Sequence, residues 1–453
     1  MTRPLTVVTV STADQLGGAE RVARRLHAGY AALGDDAWMA VGAKRTTDAQ
    51  VVEIPNQSRR SLWARTFMRA AAAFPDRGAG FRVRRLLRDV IAEPGRWLER
   101  RQGIEDFNYP GTMAIAGVAG RPADAFHLHN LHGGYFDLRA LPALSALAPT
   151  MVTLHDAWML SGHCAHSFAC ERWSTGCGSC PALWIYPAVP RDATAANWLR
   201  KREIFSQSAL FVATPCEWLA ERVRRSVLMP AIRELKVIPY SVDLTSFHAG
   251  DRVEARRTLG LDPARPVVVL LADAFAPMGW KDTAALTDAL ERLGADPSTG
   301  AWQVRAIGRE QPPRRFGALT VTFVSRIDND GLMATWFRAA DLYVHPARAD
   351  TFPNAVLEAQ ACGAPVVATA IGGIPEQIVI TPGAETGALV PMADGAALAA
   401  AMRGLLGQPP AERRAIGERA ALHVARRFGA TREAERYHEW LHALVARRAS
   451  GTR

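Results

Sequence analysis

The stretch ADTFPNAVLEAQACGAPVVATAIGGIPE, residues 349–376, decides the fold and the chemistry expected of this chain. Asp350 and Glu358 lie on either side of an apolar turn of helix, and an apolar strand and the Gly372–Gly373 loop follow. Carboxylates near a helix entrance can hold sugar hydroxyls and a ribose, and free backbone amides there can hold a diphosphate. The stretch therefore predicts a nucleotide-sugar site.

Outside this stretch, strand-like runs alternate with helical patterns over almost the whole chain, which favours parallel sheets built from βα units. The 453 residues are too many for one core, so two domains of roughly 200 residues each are expected. We predict an α/β protein of two Rossmann-like, doubly wound domains that face each other across a cleft. Ligands of such sheets bind at the carboxyl ends of the strands, which places them in that cleft.

The domain boundaries follow from the same pattern. The N-terminal domain is predicted to span residues 1–245, with a basic helical insertion at about 59–101 and a cysteine-rich loop at 161–181. The C-terminal domain is predicted to span residues 246–428. A last helix, residues 429–453, is expected to pack back on the N-terminal domain.

Composition excludes several classes of protein. Apolar residues make up 49% and charged residues 22%, as in a globular protein, and no apolar run approaches the ~20 residues of a membrane helix. The first residues carry no secretory pattern, so a cytoplasmic location is expected. The net charge of +10 is concentrated at 59–101, where twelve arginines stand against four acidic residues. Such confined charge argues against a nucleic-acid partner and indicates a local anionic surface.

The insertion contains a basic amphipathic pattern in residues 81–91. The apolar residues recur at helical spacing, and they are Val83, Leu86, Leu87, Val90 and Ile91. The remaining face carries Arg82, Arg84, Arg85 and Arg88. Such a helix can lie in an anionic membrane interface, here the inner face of the plasma membrane. The alternative is that the apolar stripe packs on the domain.

Chemistry-bearing residues follow several predicted strands of the N-terminal domain. Gly17–Gly18 opens a helix after the first strand, where free amides favour phosphate. His129–Asn130 and His132 follow a later strand, and His155–Asp156 follows the next. Because carboxyl ends of parallel strands share an edge, these groups are expected to converge, although a hydrogen-bonded structural corner is the alternative for His155–Asp156.

Four of the six cysteines, Cys164, Cys170, Cys177 and Cys180, lie within seventeen residues. Four thiols in a cytosolic loop favour a structural Zn²⁺ site over disulfides, with buried free thiols as the alternative. Lys281 stands at a predicted strand-to-helix junction, where an ammonium could neutralise a diphosphate leaving group.

Together these residues resemble glycosyltransferase family 4, whose members are retaining enzymes of the GT-B fold. The resemblance runs nearly end to end and rests on GGAERVA, FHLHNLHGGYF, TLHDAW, ATPCEWLAERV, VIPYSVDLTSF, AADLYVHP and the stretch quoted first. The segments GHCAHSFACERWSTGCGSCP and EDFNYPGT are similar to the subgroup that builds bacterial exopolysaccharide of the colanic-acid type.

The resemblance implies transfer of a hexose, with retention, from a nucleotide-diphosphate sugar to a lipid-linked oligosaccharide acceptor. Glu358 would hold the ribose, Asp350 and His155 the donor sugar, and Lys281 the diphosphate. The implied donor site also includes Gly18, Phe352, Pro353 and Asn354. The acceptor side would include His129, Asn130, His132 and Asp156. No metal or other cofactor is implied for catalysis.

Two positions depart from the family pattern. Asp350 stands where the family usually has glutamate, and Ala276 stands where an arginine often precedes the lysine. Arg309 or Arg348 could replace that arginine. These departures leave two alternatives open: a nucleotide-sugar-binding GT-B protein with weakened catalysis, and a GT-B epimerase that acts on the donor itself.

Overall fold

The computed structural model describes residues 3–15, 17–275 and 279–451. The chain forms two compact units, one comprising Met1–Ile238 with Ala434–Arg453 and the other Pro239–Glu433. Each unit is a mostly parallel sheet with helices packed on it.

The sheet of the N-terminal unit has seven strands in the order β3-β2-β1-β4-β5-β6-β7. They are β1 (Thr6–Ala13), β2 (Asp36–Ala43), β3 (Val51–Glu53), β4 (Ala125–His129), β5 (Thr150–Thr153), β6 (Leu210–Thr214) and β7 (Ile232–Val237). All neighbouring pairs are parallel. The helices of this unit are α1 (Gly18–Ala32), α2 (Leu62–Ala72), α3 (Ala79–Arg85), α4 (Pro94–Arg101), α5 (Leu141–Leu147), α6 (Thr194–Ser206), α7 (Glu217–Arg224) and the last helix, α14 (Ala430–Ala449).

The C-terminal unit repeats this architecture in the order β10-β11-β9-β8-β12-β13-β14. Its strands are β8 (Val267–Leu271), β9 (Gln303–Ile307), β10 (Arg314–Phe316), β11 (Leu319–Val324), β12 (Leu342–His345), β13 (Val366–Thr369) and β14 (Gly387–Val390). Only β10 pairs antiparallel among the described strands. Its helices are α8 (Arg252–Thr258), α9 (Thr283–Gly294), α10 (Asp330–Ala339), α11 (Asn354–Ala361), α12 (Gly395–Gly407) and α13 (Pro410–Arg427).

The central strands are buried on both faces, which explains their continuous apolar runs. In β12 and β13 every residue is buried, and β8 reads VVVLL. The core of the C-terminal unit consists of these strands and the inner faces of α9 and α12. Two doubly wound sheets of this kind are the GT-B architecture, and they confirm the predicted fold class.

The sheet edges differ from the prediction. The sequence predicts a strand at residues 236–239, whereas the strand of the structure, β7, spans Ile232–Val237, and its mixed apolar and charged residues are typical of an edge strand. The short strands β3, β10 and β14 were not predicted, because runs of three or four residues carry too little periodicity.

The arginine-rich insertion forms three helices. After α3 the chain continues as a π-helical segment, Leu86–Ile91, in which no residue is buried. Large apolar side chains remain exposed along the insertion, and they are Leu62, Trp63, Phe81, Val83, Leu86 and Leu98. Of the predicted apolar stripe, Val83 and Leu86 are thus exposed, whereas Leu87, Val90 and Ile91 are partly buried.

Helix α14 contacts the sheet of the N-terminal unit. The Thr153 hydroxyl donates to Tyr437 Oη at 3.0 Å, and Trp440 packs edge-on against Phe211. Within the described ranges, no helix combines the length and hydropathy needed to cross a membrane.

Candidate active site

In the C-terminal unit the strand order reverses between β8 and β12, which is the switch point at which doubly wound sheets bind ligands. Lys281 lies in the connection that follows β8, and His345 is the last residue of β12. Asp350 lies in the loop beyond β12, and the Gly372–Gly373 loop follows β13. The fold thus brings the predicted Lys281 and Asp350 to one edge of the sheet.

Three side chains form a closed triangle at this edge. Lys281 Nζ donates to Asp350 Oδ2 at 2.9 Å and lies 3.0 Å from His345 Nε2. His345 Nε2 lies 3.1 Å from Asp350 Oδ2, and the Tyr343 hydroxyl lies 3.0 Å from His345 Nδ1. The triangle holds an ammonium group in a largely buried position at the switch point.

The charges of the triangle follow from its surroundings. Burial raises the pKa of Asp350, but Lys281 and His345 outweigh burial and hold this pKa well below its usual value. Burial and the nearby Lys281 ammonium lower the pKa of His345. At neutral pH the triangle therefore contains a carboxylate and a neutral imidazole beside the lysine.

The backbone after β13 fits closely around Asp350. Gly372 has a φ of 55°, and a Cβ there would lie 1.9 Å from the Asp350 carbonyl oxygen. Gly373 N donates to Thr351 O at 2.8 Å. Only glycine allows this approach, so Gly372 fixes the loop that carries Asp350.

Helix α11 presents two further predicted residues. Asn354 is its first residue, and the buried Asn354 Oδ1 has no hydrogen-bond partner within the described chain. Glu358 is one helical turn further and is 9% exposed. Burial raises the pKa of Tyr343 well above its usual value, and the nearby Glu358 carboxylate adds to this rise. Glu358 and Tyr343 are therefore further polar side chains near the triangle.

The other predicted donor-side residues occupy structural positions. The Phe352 ring is buried and packs against Tyr240 and Phe428. Pro353 caps α11, and its carbonyl accepts from Gln377 Nε2 at 3.0 Å.

Of the two replacement arginines, Arg348 lies nearer to the triangle. It is exposed, and its backbone N–H donates to the carbonyl of Trp280, the residue before Lys281, at 2.8 Å. Arg309 is exposed beyond β9. Ala276 lies outside the described residues.

In the N-terminal unit, the predicted histidines do converge. His129 ends β4, and its Nδ1 lies 2.9 Å from Nε2 of His155, which follows β5. Beneath them His127 lies 2.7 Å from both the Tyr30 hydroxyl and Thr153 Oγ1. Burial lowers the pKa of His155 to about 4 and of His127 to about 3, so these imidazoles are uncharged at neutral pH.

His132 and Asp156 form a second pair, with His132 Nε2 lying 2.6 Å from Asp156 Oδ2. Burial opposes charge on His132, but Asp156 overcomes it and raises the pKa of His132. Asn130, between the two histidine positions, has a φ of 44°, a left-handed conformation that asparagine tolerates. The four predicted acceptor-side residues thus lie in one hydrogen-bonded region.

The predicted glycine loop lies at the start of α1. Gly17 caps the helix and Gly18 is its first residue. A Cβ on Gly17 would lie 1.7 Å from Glu20 Oε2, so the Glu20 carboxylate covers this helix terminus.

A buried ion pair supports the loop that follows His155. Lys201 is fully buried, and its Nζ lies 3.0 Å from Glu105 Oε2 and donates to the Trp158 carbonyl at 2.9 Å. Trp158 Nε1 donates to Glu105 Oε1 at 2.6 Å. These contacts hold the segment Asp156–Trp158 in place. Glu105 of the EDFNYPGT segment therefore stabilises the loop that contains Asp156.

The four loop cysteines are free thiols. Gly162 N donates to Cys177 Sγ at 3.2 Å, and His163 Nε2 lies 3.5 Å from Cys180 Sγ. Burial raises the pKa of Cys164 to about 12 and also raises the pKa values of Cys177 and Cys180, and the thiols lie near enough to influence one another's pKa. Zinc at this loop stays a prediction.

Sequence reasoning missed His345, Tyr343, Lys201 and Glu105. A histidine that ends an apolar strand at a switch point is a usable signal for His345. The pairing of Lys201 with Glu105 spans 96 positions, and no local pattern indicates it.

Comparison with known proteins defines the class. Residues 265–408 match the model of the family described as glycosyl transferases group 1. A D-inositol 3-phosphate glycosyltransferase of Catenulispora acidiphila is 29% identical over 76% of this chain and 77% of its own length. The putative colanic acid biosynthesis glycosyl transferase WcaC of Escherichia coli is 25% identical over 54% of this chain and 59% of its own.

Solved structures share the fold over the whole chain. Sucrose-phosphate synthase of Thermosynechococcus elongatus has a TM-score of 0.61 at 19% identity and covers 98% of this chain and 99% of its own. Anabaena HepE in complex with UDP and glucose has a TM-score of 0.60 at 17% identity and covers 97% of this chain and 100% of its own.

The fold and the site together define a GT-B protein in which a cluster of polar side chains lies at the switch point of each unit. The chain is a glycosyltransferase, and its residues 265–408 match the model of the glycosyl transferases group 1. This confirms the family that the sequence resembles, including its likeness to an enzyme of colanic acid biosynthesis.

The buried histidines predict how stability depends on pH. An unfolded histidine titrates near pH 6.5, whereas the pKa of His155 in the fold is about 4. Because the unfolded state binds more protons between these values, the free energy of unfolding declines as pH falls through this window, by about 3 kcal/mol for His155. Urea unfolding at pH 7.5, 6 and 5 measures the first part of this decline, about 2 kcal/mol by pH 5.

The matched variants are His155→Gln and His248→Gln, since His248 is exposed in the C-terminal unit. His155→Gln should flatten the pH dependence, whereas His248→Gln should leave it as in the unmodified chain. Equal slopes in all three proteins would contradict the burial argument.

Proposed function

We propose that the protein is a retaining hexosyltransferase whose C-terminal unit binds a nucleotide-diphosphate sugar at the triangle of Lys281, His345 and Asp350. The observation that carries this proposal is the buried ammonium of Lys281 at the β8/β12 switch point, 2.9 Å from Asp350. An ammonium in a poorly solvated site is a strong partner for a diphosphate. Glu358 would hold the ribose hydroxyls, and Asn354 Oδ1 would accept from the sugar.

Two similarities support a nucleotide donor. HepE, which shares the fold, binds UDP and UDP-glucose, and two relatives in sequence are D-inositol 3-phosphate glycosyltransferases. The chain spans 77% of the first of these relatives and about half of the second.

For the acceptor we propose a lipid-linked oligosaccharide that contacts His129, Asn130, His132 and Asp156 of the N-terminal unit. His155 would assist transfer from the same edge. Uncharged His129 and the Asn130 amide can donate to or accept from hydroxyl groups, and the Asp156 carboxylate beside His132 can accept from them. The likeness to WcaC supports exopolysaccharide synthesis as the setting.

Contact with the membrane is proposed through the insertion at residues 59–101. Trp63 and Phe81 are 58% and 43% exposed, and Arg69, Arg77 and Arg82 are exposed beside them. Arg84 and Arg88, in contrast, form ion pairs with Asp76 and Asp89. Apolar side chains surrounded by unpaired arginines match an anionic lipid surface, which lies close to a lipid-linked acceptor.

The proposed nucleotide-sugar site predicts the effect of Lys281→Gln. The glutamine amide can still donate a hydrogen bond to Asp350, but it carries no charge. We expect about 10- to 100-fold weaker binding of UDP or GDP, the equivalent of one lost charge-assisted hydrogen bond. Calorimetry measures the affinity, after a thermal-shift screen of UDP- and GDP-sugars identifies the nucleotide. Lys236→Gln is the control, because Lys236 is a partly exposed lysine on β7 of the other unit that is likewise paired with a carboxylate, Glu234.

Unchanged nucleotide affinity in Lys281→Gln would exclude the triangle as the diphosphate site. Transfer or hydrolysis of the identified nucleotide sugar by the unmodified protein separates an enzyme from a binding protein with weakened catalysis. Isomerised sugar formed without an acceptor would instead support the epimerase alternative.

The membrane proposal predicts that the triple change of Arg69, Arg77 and Arg82 to glutamine weakens sedimentation with vesicles that contain phosphatidylglycerol. Each basic residue near such a surface contributes about 1 kcal/mol, so a loss of roughly 100-fold is expected. The control changes Arg233, Arg403 and Arg436, which are exposed elsewhere in the chain. If both triples bind vesicles equally, the insertion has no membrane role and the donor proposal is unaffected.

We also propose that the four loop cysteines bind a structural Zn²⁺. The turn Cys177–Cys180 supports this, because Cys177, Gly178 and Ser179 all have positive φ and Gly162 N already donates to Cys177 Sγ. Bound Zn²⁺ would deprotonate the thiols and hold the loop that contains Cys164 and Cys170.

The zinc proposal predicts that the purified protein resists thiol modification at these cysteines until a chelator is added, and that Cys177→Ser with Cys180→Ser loses one zinc equivalent. Cys362→Ser, a buried cysteine of the other unit, serves as the control. Thiols that react equally with and without a chelator would identify this loop as a group of free cysteines.

A further inference from the structure

A second group of metal-ligating side chains lies in the N-terminal unit, away from the residues assigned to glycosyl transfer. Asp35 lies in the turn between α1 and β2, and His438 and His442 are one turn apart on α14. One ligand atom from each lies within 4.8 Å of the other two. Among the described residues, Asp35, His438 and His442 bring their ligand atoms within this distance of one another, whereas the sulfur atoms of the loop cysteines do not.

Both imidazoles direct the same nitrogen toward one carboxylate. His442 Nε2 lies 3.0 Å from Asp35 Oδ1, and His438 Nε2 lies 3.4 Å from Asp35 Oδ2. The two rings are tilted against each other with centroids 4.2 Å apart. Three ligand atoms thus converge on one point from a turn and a helix.

The two carboxylate oxygens of Asp35 differ in their hydrogen bonding. Its side chain is 1% exposed, and Oδ1 accepts from Leu5 N at 2.9 Å. Oδ2 is buried and has no hydrogen-bond partner within the described chain, although His438 Nε2 is close. A buried carboxylate oxygen without a hydrogen bond is unfavourable, so this atom requires a partner that the side chains do not supply.

We propose that Asp35, His438 and His442 bind a divalent transition metal of the Zn²⁺ type. Imidazole nitrogen with one carboxylate oxygen suits zinc, cobalt or nickel, whereas magnesium and calcium prefer oxygen ligands. Water would take the remaining position, because His438 and His442 are 21% and 13% exposed. The metal would satisfy Oδ2 and attach α14 to the turn before β2.

The experiment uses the full chain after removal of metal by a chelator, with Zn²⁺ and then Co²⁺ as probes. Zn²⁺ should raise the unfolding temperature, and Asp35→Asn and His442→Gln should each bind one zinc equivalent less than the unmodified chain. His248→Gln, exposed in the other unit, should bind as much as the unmodified chain. Co²⁺ at this site should give weak visible bands without the thiolate charge-transfer absorption that cysteine ligands produce.

Equal zinc content in Asp35→Asn and the unmodified chain would overturn the proposal and leave a pH-dependent ion pair as the role of the cluster. If Asp35→Asn does not fold, His438→Gln decides, since His438 is partly exposed and makes no hydrogen bond to Asp35. A cobalt spectrum that shows thiolate absorption only, and that His438→Gln does not change, would likewise assign all bound metal to the cysteines.

Discussion

The ion pair of Lys281 and Asp350 is the contact on which the donor-side site depends. Lys281 is 9% exposed, and a buried ammonium without a counter-charge is strongly unfavourable. Asp350 must therefore lie where its carboxylate reaches the lysine, and Gly372 must leave room for the Asp350 carbonyl. One electrostatic requirement thus fixes the loops after β8, β12 and β13, which are neighbours in the sheet.

The two units place titratable groups at their switch points by different physical means. In the C-terminal unit the charges of Lys281 and Asp350 remain and compensate each other, which keeps an ammonium at this edge. In the N-terminal unit burial lowers the pKa values of His127, His129 and His155, so these imidazoles are uncharged, whereas Asp156 favours charge on the neighbouring His132. This difference matches a phosphate-bearing ligand on one unit and a ligand rich in hydroxyl groups on the other.

The sequence predicts those parts of the fold and site whose signal is local. Strands buried on both faces, such as β8 and β13, appear as apolar runs, and the residues just after them are candidates by position alone. Lys281 and Asp350 were predicted from positions near strand ends, and Glu358 was predicted as the acid one helical stretch after Asp350, with the roles of all three taken from the resemblance. The Lys281–Asp350 contact spans 69 positions, and its existence depends on the strand order, which no local pattern encodes. His345 was missed for a related reason, since its role arises only when β12 lies beside β8.

The same geometry gives a meaning to aspartate at position 350, where the resemblance leads one to expect glutamate. With the backbone held against Gly372, the aspartate side chain is just long enough to place Oδ2 2.9 Å from Lys281 and 3.1 Å from His345. A diphosphate bound at Lys281, as proposed above, would share the ammonium with this carboxylate. Position 350 would then influence the charge that the ligand meets as well as the contact with the sugar.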